Sequence, residues 1–330
     1  MRPFAYVRPA SVQDAISEMS NARGAKYLGG GTNLVDLMKM DVEHPAAIID
    51  LNRLPLAQIE EHQGGLRIGA LVRNSDAANH LLIRERYPLL SEALLAGASG
   101  QLRNMATMGG NLLQRTRCPY FYDPTYAECN KRSPGTGCAA ISGQNRTHAI
   151  LGASDQCIAT NPSDMSVALT ALDAIVQVQG PRGERSIPIQ AFHRLPGATP
   201  QIETNLHPGE LITAIDLPPL PPTFARRSHY LKIRDRNSYA FALVSVAAML
   251  DIENGVIRQS RIAVGGVAQK PWRVPSAEQL LVGQRAEDAA YRRAAESLLH
   301  GAHTYRHNTF KVELARRAVI RALSTSASLA

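Results

Sequence analysis

Apolar positions in the first fifty residues come in short runs broken by polar, glycine-rich turns, a pattern that predicts β-α-β-turn-α-β. Phe4–Val7, Ala25–Leu28 and Ala47–Leu51 read as strands, and Leu34–Met40 as a helix. Ser11-Val12-Gln13-Asp14 has the form of a capping box opening a helix to Met19. From Ile59 the texture changes to strand (Leu66–Ile68), apolar helix (Tyr87–Ala96) and a stretch rich in small residues (Gly97–Asn111). Ser163-Asp164 starts a helix towards Leu172, and Ala174–Val178 alternates as a strand. Leu217-Pro218-Pro219-Leu220-Pro221-Pro222 predicts a linker, because repeated proline fixes φ and removes amide donors. Beyond it, Tyr239–Ile252, an Asn254-Gly255 turn and Val256–Val264 predict a β-meander. Ala286–Leu299 and Thr309–Leu323 close the chain as helices, the last with Phe310, Leu314 and Ala318 as its buried stripe.

The class is therefore α+β. The boundaries fall at 1–55 for a βαβ-like subdomain and 56–217 for a second subdomain with a cysteine-bearing insertion at about 112–157. A proline linker at 218–224 leads to a C-terminal α+β domain at 225–330. With 45% hydrophobic and 19% charged residues the chain can build sizeable cores, which excludes wholesale disorder. The longest nearly apolar run, Ala240–Leu250, is about half of what a bilayer span needs, so no membrane insertion is expected. The first nine residues carry no apolar segment of the secretory kind. The net charge of +8 comes from scattered bases with few aromatics, which favours a generally basic surface or a phosphate-binding pocket over a nucleic-acid interface.

All four cysteines, Cys118, Cys129, Cys138 and Cys157, lie within 40 residues in the spacing C-x10-C-x8-C-x18-C. Two disulfides, a tetrahedral zinc site, a [4Fe–4S] cluster and four unconnected thiols all remain open. The spacing lacks the close knuckles of structural zinc, and Pro119, Pro124, Pro134, Gly135 and Gly137 give a backbone able to wrap a compact inorganic body. Arg115, Arg117, Lys131 and Arg132 are placed to offset a cluster's negative charge.

Lys26-Tyr27-Leu28-Gly29-Gly30-Gly31-Thr32-Asn33-Leu34 follows a strand and precedes a helix, where backbone amides can cradle a phosphate. It is neither a P-loop nor the dinucleotide fingerprint. Thr107-Met108-Gly109-Gly110-Asn111 is a second such turn, and two cradles suit a ligand with a diphosphate spine. Asp164, at a helix start, is a candidate acceptor for a ligand hydroxyl or ring N–H. No nucleophile elbow and no metal-binding histidine pair is present.

In this order, the two glycine turns, Asn161-Pro162-Ser163-Asp164 and Tyr230-Leu231-Lys232 resemble the FAD-binding medium subunit of the xanthine dehydrogenase / carbon monoxide dehydrogenase family of molybdenum hydroxylases. The resemblance covers essentially the whole chain. It implies a two-part FAD-binding region of the PCMH type, followed by a C-terminal domain like that of CO dehydrogenase flavoproteins. It further implies that Lys26 to Leu34 and Thr107, Gly109, Gly110 and Asn111 hold FAD, with Asp164, Ile212 and Lys232 completing the site.

The cysteine insertion is similar to that of FAD subunits of periplasmic aldehyde oxidoreductases in this family, which implies Cys118, Cys129, Cys138 and Cys157 as ligands of a [4Fe–4S] cluster. No catalytic residue is expected on this chain. The implied partners are a large molybdenum-cofactor subunit, a small subunit with two [2Fe–2S] centres and an external electron acceptor. The implied location is the periplasm, reached by co-export with a signal-bearing partner, with the cytoplasm as the alternative. A stand-alone FAD-dependent oxidoreductase is the alternative function.

Overall fold

The computed structural model describes residues 1–329. Short strands β1 (Ala5–Val7), β2 (Ala25–Leu28) and β3 (Ala47–Asp50) form a parallel sheet with β3 in the middle. The connecting helix Val12–Asn21 begins as its sequence predicts, with Ser11 Oγ accepting from the Asp14 amide at 3.0 Å. Its Ala15 packs on Ala47, Ile49 and Leu51 in a core of its own.

The second region is built on a five-stranded antiparallel sheet of β4 (Ile59–His62), β5 (Gly65–Gly69), β6 (Ile175–Gly180), β7 (Gly183–Pro188) and β8 (Leu211–Leu217), in the order β4-β5-β8-β6-β7. Strands far apart in sequence pair directly, Ile68 standing opposite Ile215. The apolar helix Pro88–Ala96 and the helix Asp164–Ala171 cover the sheet in one core, with Leu66, Ile68, Leu90, Leu169 and Ile215 fully buried. Every residue of Asp164–Ala171 is buried, so this helix runs through the interior and carries no polar face.

β10 (Val244–Glu253) and β11 (Val256–Gly265) form the predicted antiparallel pair, and β9 (Ser228–Ile233), which the sequence did not announce as a strand, joins the other edge of β10. Helices Asp288–Leu298 and Phe310–Ser328 pack on it around Val246, Leu250, Val264 and Val319. Two expectations need correction here. Tyr239–Leu243 is not strand, and Tyr239 and Phe241 stand exposed, with the Arg117 guanidinium 5.0 Å from the Phe241 ring centroid. The buried stripe of the last helix is Lys311, Ala315, Ala318, Val319 and Ala322. Phe310 lies outside it on the surface, with the Arg146 guanidinium 5.2 Å above its ring. A buried lysine and an exposed phenylalanine rotate the apparent stripe by one position. Among the described residues no helix is long and apolar enough to cross a membrane.

Candidate functional site

The N-terminal unit, the second region and the segment before β10 enclose a cavity of about 950 Å³. Lys26 to Leu34, Thr107, Gly109, Gly110, Asn111, Asp164 and Ile212 all line it. Of the sequence-predicted residues only Lys232 lies off the wall, behind Asp164, with its Nζ 2.8 Å from Asp164 Oδ2.

The two glycine turns touch. A Cβ on Gly29 would stand 2.7 Å from Thr107 Oγ1, and one on Gly30 would overlap the Met105 carbonyl. Only glycine lets the first turn close on the second. Among the described residues the amides of Gly30, Gly31 and Thr32 donate to no protein acceptor, so this edge of the cavity presents free N–H groups.

Side chains expected at the ligand hold the frame instead. Thr107 Oγ1 accepts from the Gly110 amide at 3.2 Å, and Asn111 Oδ1 accepts from Ser163 Oγ at 2.7 Å. Asn33 Oδ1 accepts from the Arg115 amide at 2.9 Å while its Nδ2 donates to Tyr122 Oη at 3.2 Å. Both oxygens of the buried Asp164 carboxylate already accept, one from Tyr230 Oη and one from Lys232 Nζ, each at 2.8 Å. Burial and the neighbouring Asp164 charge raise the Tyr230 phenol well above its ordinary value, so it stays a donor.

The wall also contains residues that no motif singled out, among them Asn74, His193 and Gln269. His193 is buried, and desolvation pulls it down to about 4. The neutral ring meets Leu112 O through Nε2 at 2.9 Å. A carbonyl only accepts, so Nε2 carries the hydrogen and Nδ1 is an unprotonated acceptor.

The cysteine segment continues from this wall, since Arg115, Thr116 and Arg117 line the cavity just before Cys118. Asn130 shapes its central turn, accepting from the Gly135 and Gly137 amides at 3.0 and 2.9 Å. That turn places Cys129 opposite Cys138. The far end of the segment is sewn into the C-terminal domain: Ile150 and Leu151 amides both donate to Val267 O, and buried Lys311 donates to His148 O at 2.8 Å and Gly266 O at 2.5 Å.

The four cysteines are free thiols. Cys118 Sγ lies 3.1 Å from His148 Nε2, and Cys157 shares a hydrogen bond with Cys138. Burial pushes the Cys118 thiol up to about 12, while the bond donated by Cys157 lowers Cys138 and correspondingly raises Cys157. Among the described residues no group of three or more His, Cys, Asp or Glu is placed to hold a metal ion.

Three of the four neighbouring bases are paired with carboxylates. Lys131 pairs with Glu203 at 2.7 Å, Arg115 pairs with Glu43 at 2.5 Å and with Glu203, and Arg117 pairs with Asp36 at 2.8 Å. Arg132 donates to the carbonyls of Tyr120 and Phe121.

Residues 2–220 match the family model described as the FAD binding domain in molybdopterin dehydrogenase, and residues 229–326 match the CO dehydrogenase flavoprotein C-terminal domain. The chain is 51% identical to the aldehyde oxidoreductase FAD-binding subunit PaoB of Escherichia coli, over 98% of each chain. It is 29% identical to the glyceraldehyde dehydrogenase medium chain of Sulfolobus acidocaldarius, over 86% of this chain and 83% of that one. Its fold matches a chain of the reconstituted CO dehydrogenase from Oligotropha carboxidovorans with a TM-score of 0.78, at 23% identity over 100% of this chain and 99% of the other.

Proposed function

The chain belongs to the family of FAD-binding subunits of molybdenum hydroxylases, which are oxidoreductases, and from that premise we propose that it is the FAD-binding electron-transfer subunit of a molybdenum-containing aldehyde oxidoreductase. The observation that carries the reading is the pair of interlocked glycine turns with free amides along one wall of a large cavity. FAD supplies two-electron chemistry that can also proceed in single steps, which suits a subunit standing between one-electron centres and an acceptor.

The chain's own residues bind and orient. The Lys26–Leu34 turn and the Thr107–Asn111 turn would hold the diphosphate. Ile212 would provide apolar wall, and the Tyr230–Asp164–Lys232 set would present a carboxylate of fixed orientation. We place the substrate-oxidising site on a large molybdenum-cofactor subunit and the electron supply on a small subunit with two [2Fe–2S] centres, the electrons leaving for an external acceptor. We divide the chain into the FAD-binding region up to residue 217 and the C-terminal domain from 225. We assign the complex to the periplasm, reached in company with a signal-bearing partner.

We extend the reading to a [4Fe–4S] cluster on Cys118, Cys129, Cys138 and Cys157. Its support is the donor set: four free thiols on one loop that is anchored at both ends and has little regular structure; cluster binding would have to gather them, because among the described residues no three stand together as a metal site. The test is a flavin, iron and sulfide assay on anaerobically purified protein. About one FAD with about four iron and four sulfide per chain is expected. Flavin without iron would remove the cluster and leave the FAD subunit standing. A folded chain without flavin would overturn the function.

A further inference from the structure

The close fit of the two glycine turns limits how near they can come, but a steric contact only repels. The groups that pull them together are two side chains that do not line the cavity, Asn52 and Arg73. Among the described residues, Gly29 O and Met105 O accept from no backbone amide, and each has one side-chain donor. Asn52 Nδ2 donates to Gly29 O at 2.9 Å. The Arg73 guanidinium donates through one nitrogen to Met105 O and through the other to Asn52 Oδ1, the latter at 2.9 Å. An unbroken chain of hydrogen bonds therefore runs from the first turn to the second. It ends on the same Met105 carbonyl that a Cβ on Gly30 would overlap.

Both side chains are themselves held in place. Asp50 Oδ1 accepts from the Asn52 amide at 3.0 Å and from Asn52 Nδ2 at 2.6 Å. A guanidinium only donates, so the carboxamide turns its oxygen to Arg73 and its nitrogen to Asp50 and Gly29. Arg73 stands opposite Thr107 in an antiparallel bridge, and the following amide, that of Asn74, donates to Ala106 O at 2.9 Å.

We propose that Arg73 and Asn52 are positioning residues for the cofactor, a clasp that keeps the two glycine turns at the spacing a dinucleotide diphosphate requires. The inference rests on the FAD reading of the cavity. Asn52 is exposed and Arg73 half-exposed, so water replaces their bonds readily and the clasp adds little to folding. Its effect falls on binding, because turns that are already clasped need no further ordering when the ligand arrives.

The test is FAD titration of flavin-stripped, full-length protein, with melting of the empty protein followed in parallel. Arg73→Met and Asn52→Leu should each raise the FAD dissociation constant about tenfold, the worth of one hydrogen bond from a charged donor. The double variant should bind no worse than the weaker single, because a chain cut at one link is already open. The melting temperature of the empty protein should stay close to that of wild type in all three. Arg73→Lys keeps the charge but loses the rigid fork that spans two acceptors, and should bind as poorly as Arg73→Met. Wild-type affinity in Arg73→Lys would reduce Arg73 to a positive charge near the phosphates and overturn the clasp. Losses that multiply in the double variant, or that follow a fall in empty-state melting, overturn it as well. A wild-type chain that takes up no FAD overturns the reading of the cavity itself, and the clasp with it.

Discussion

The glycine turns and the cysteine loop lie next to each other and are held by opposite means. The turns are fixed by shape, since Gly29 and Gly30 press against Met105–Thr107 so closely that no side chain fits. The loop is fixed by buried polar groups. Asn130 builds its turn, Asn145 and Asn308 bond its backbone, and Lys311 reaches in from the last helix to carbonyls of Thr147, His148 and Gly266. A steric cradle is intolerant of added atoms. A polar frame is intolerant of lost ones.

Gly30→Ala attacks the cradle where it is tightest. The added methyl must push the Met105 carbonyl away, so flavin content should fall at least tenfold and the melting temperature should drop with an overpacking cost of about 1–3 kcal/mol. A variant with full flavin and unchanged melting would show that the turns do not need their close approach.

Acid should weaken the same wall through His193. Its folded value near 4 lies below the unfolded value of 6.5, so the native state binds fewer protons between these limits. The stability associated with the neutral ring is therefore complete above pH 6.5 and is lost as pH falls through 4. At 1.36 kcal/mol per unit the loss is on the order of 3 kcal/mol. Denaturant titrations at pH 7 and pH 4.5 should show an acid loss that is smaller in His193→Gln, and an equal slope in both proteins would remove His193 as its source.

Lys311→Met tests the polar frame. It strips the Nζ donor from the buried carbonyls of His148 and Gly266 and the more exposed one of Thr147, of which His148 O keeps a second donor in Asn308. The expected cost is about 2 kcal/mol in denaturant melts, with flavin content unchanged. Flavin loss in proportion to stability would mean that the two regions share one means of support after all.

The sequence was legible where structure is local. The Ser11 cap and the three short strands of the first fifty residues fall where alternation and capping put them, because each signal lies within a few residues of its effect. β7 and β8 were not foreseen. Gly183–Pro188 reads as a polar stretch, and Leu211–Leu217 becomes a strand by pairing with β5, some 150 residues earlier in the chain. The site divides in the same way. Two glycine turns announce themselves as motifs, but nothing near Asn74, His193 or Gln269 in sequence marks them as cavity wall. Lys311 is misleading in the other direction, since a charged residue counts against the buried face that it in fact occupies.

Asn33 belongs to both regions: its side chain receives the Arg115 amide and reaches the Tyr122 hydroxyl, fastening the first glycine turn to the chain on either side of Cys118. In terms of how such a molecule tolerates change, the cysteine loop is not an independent appendage: it grips the scaffold at a residue of the glycine turn, so a substitution at residue 33 is judged twice, once by each region.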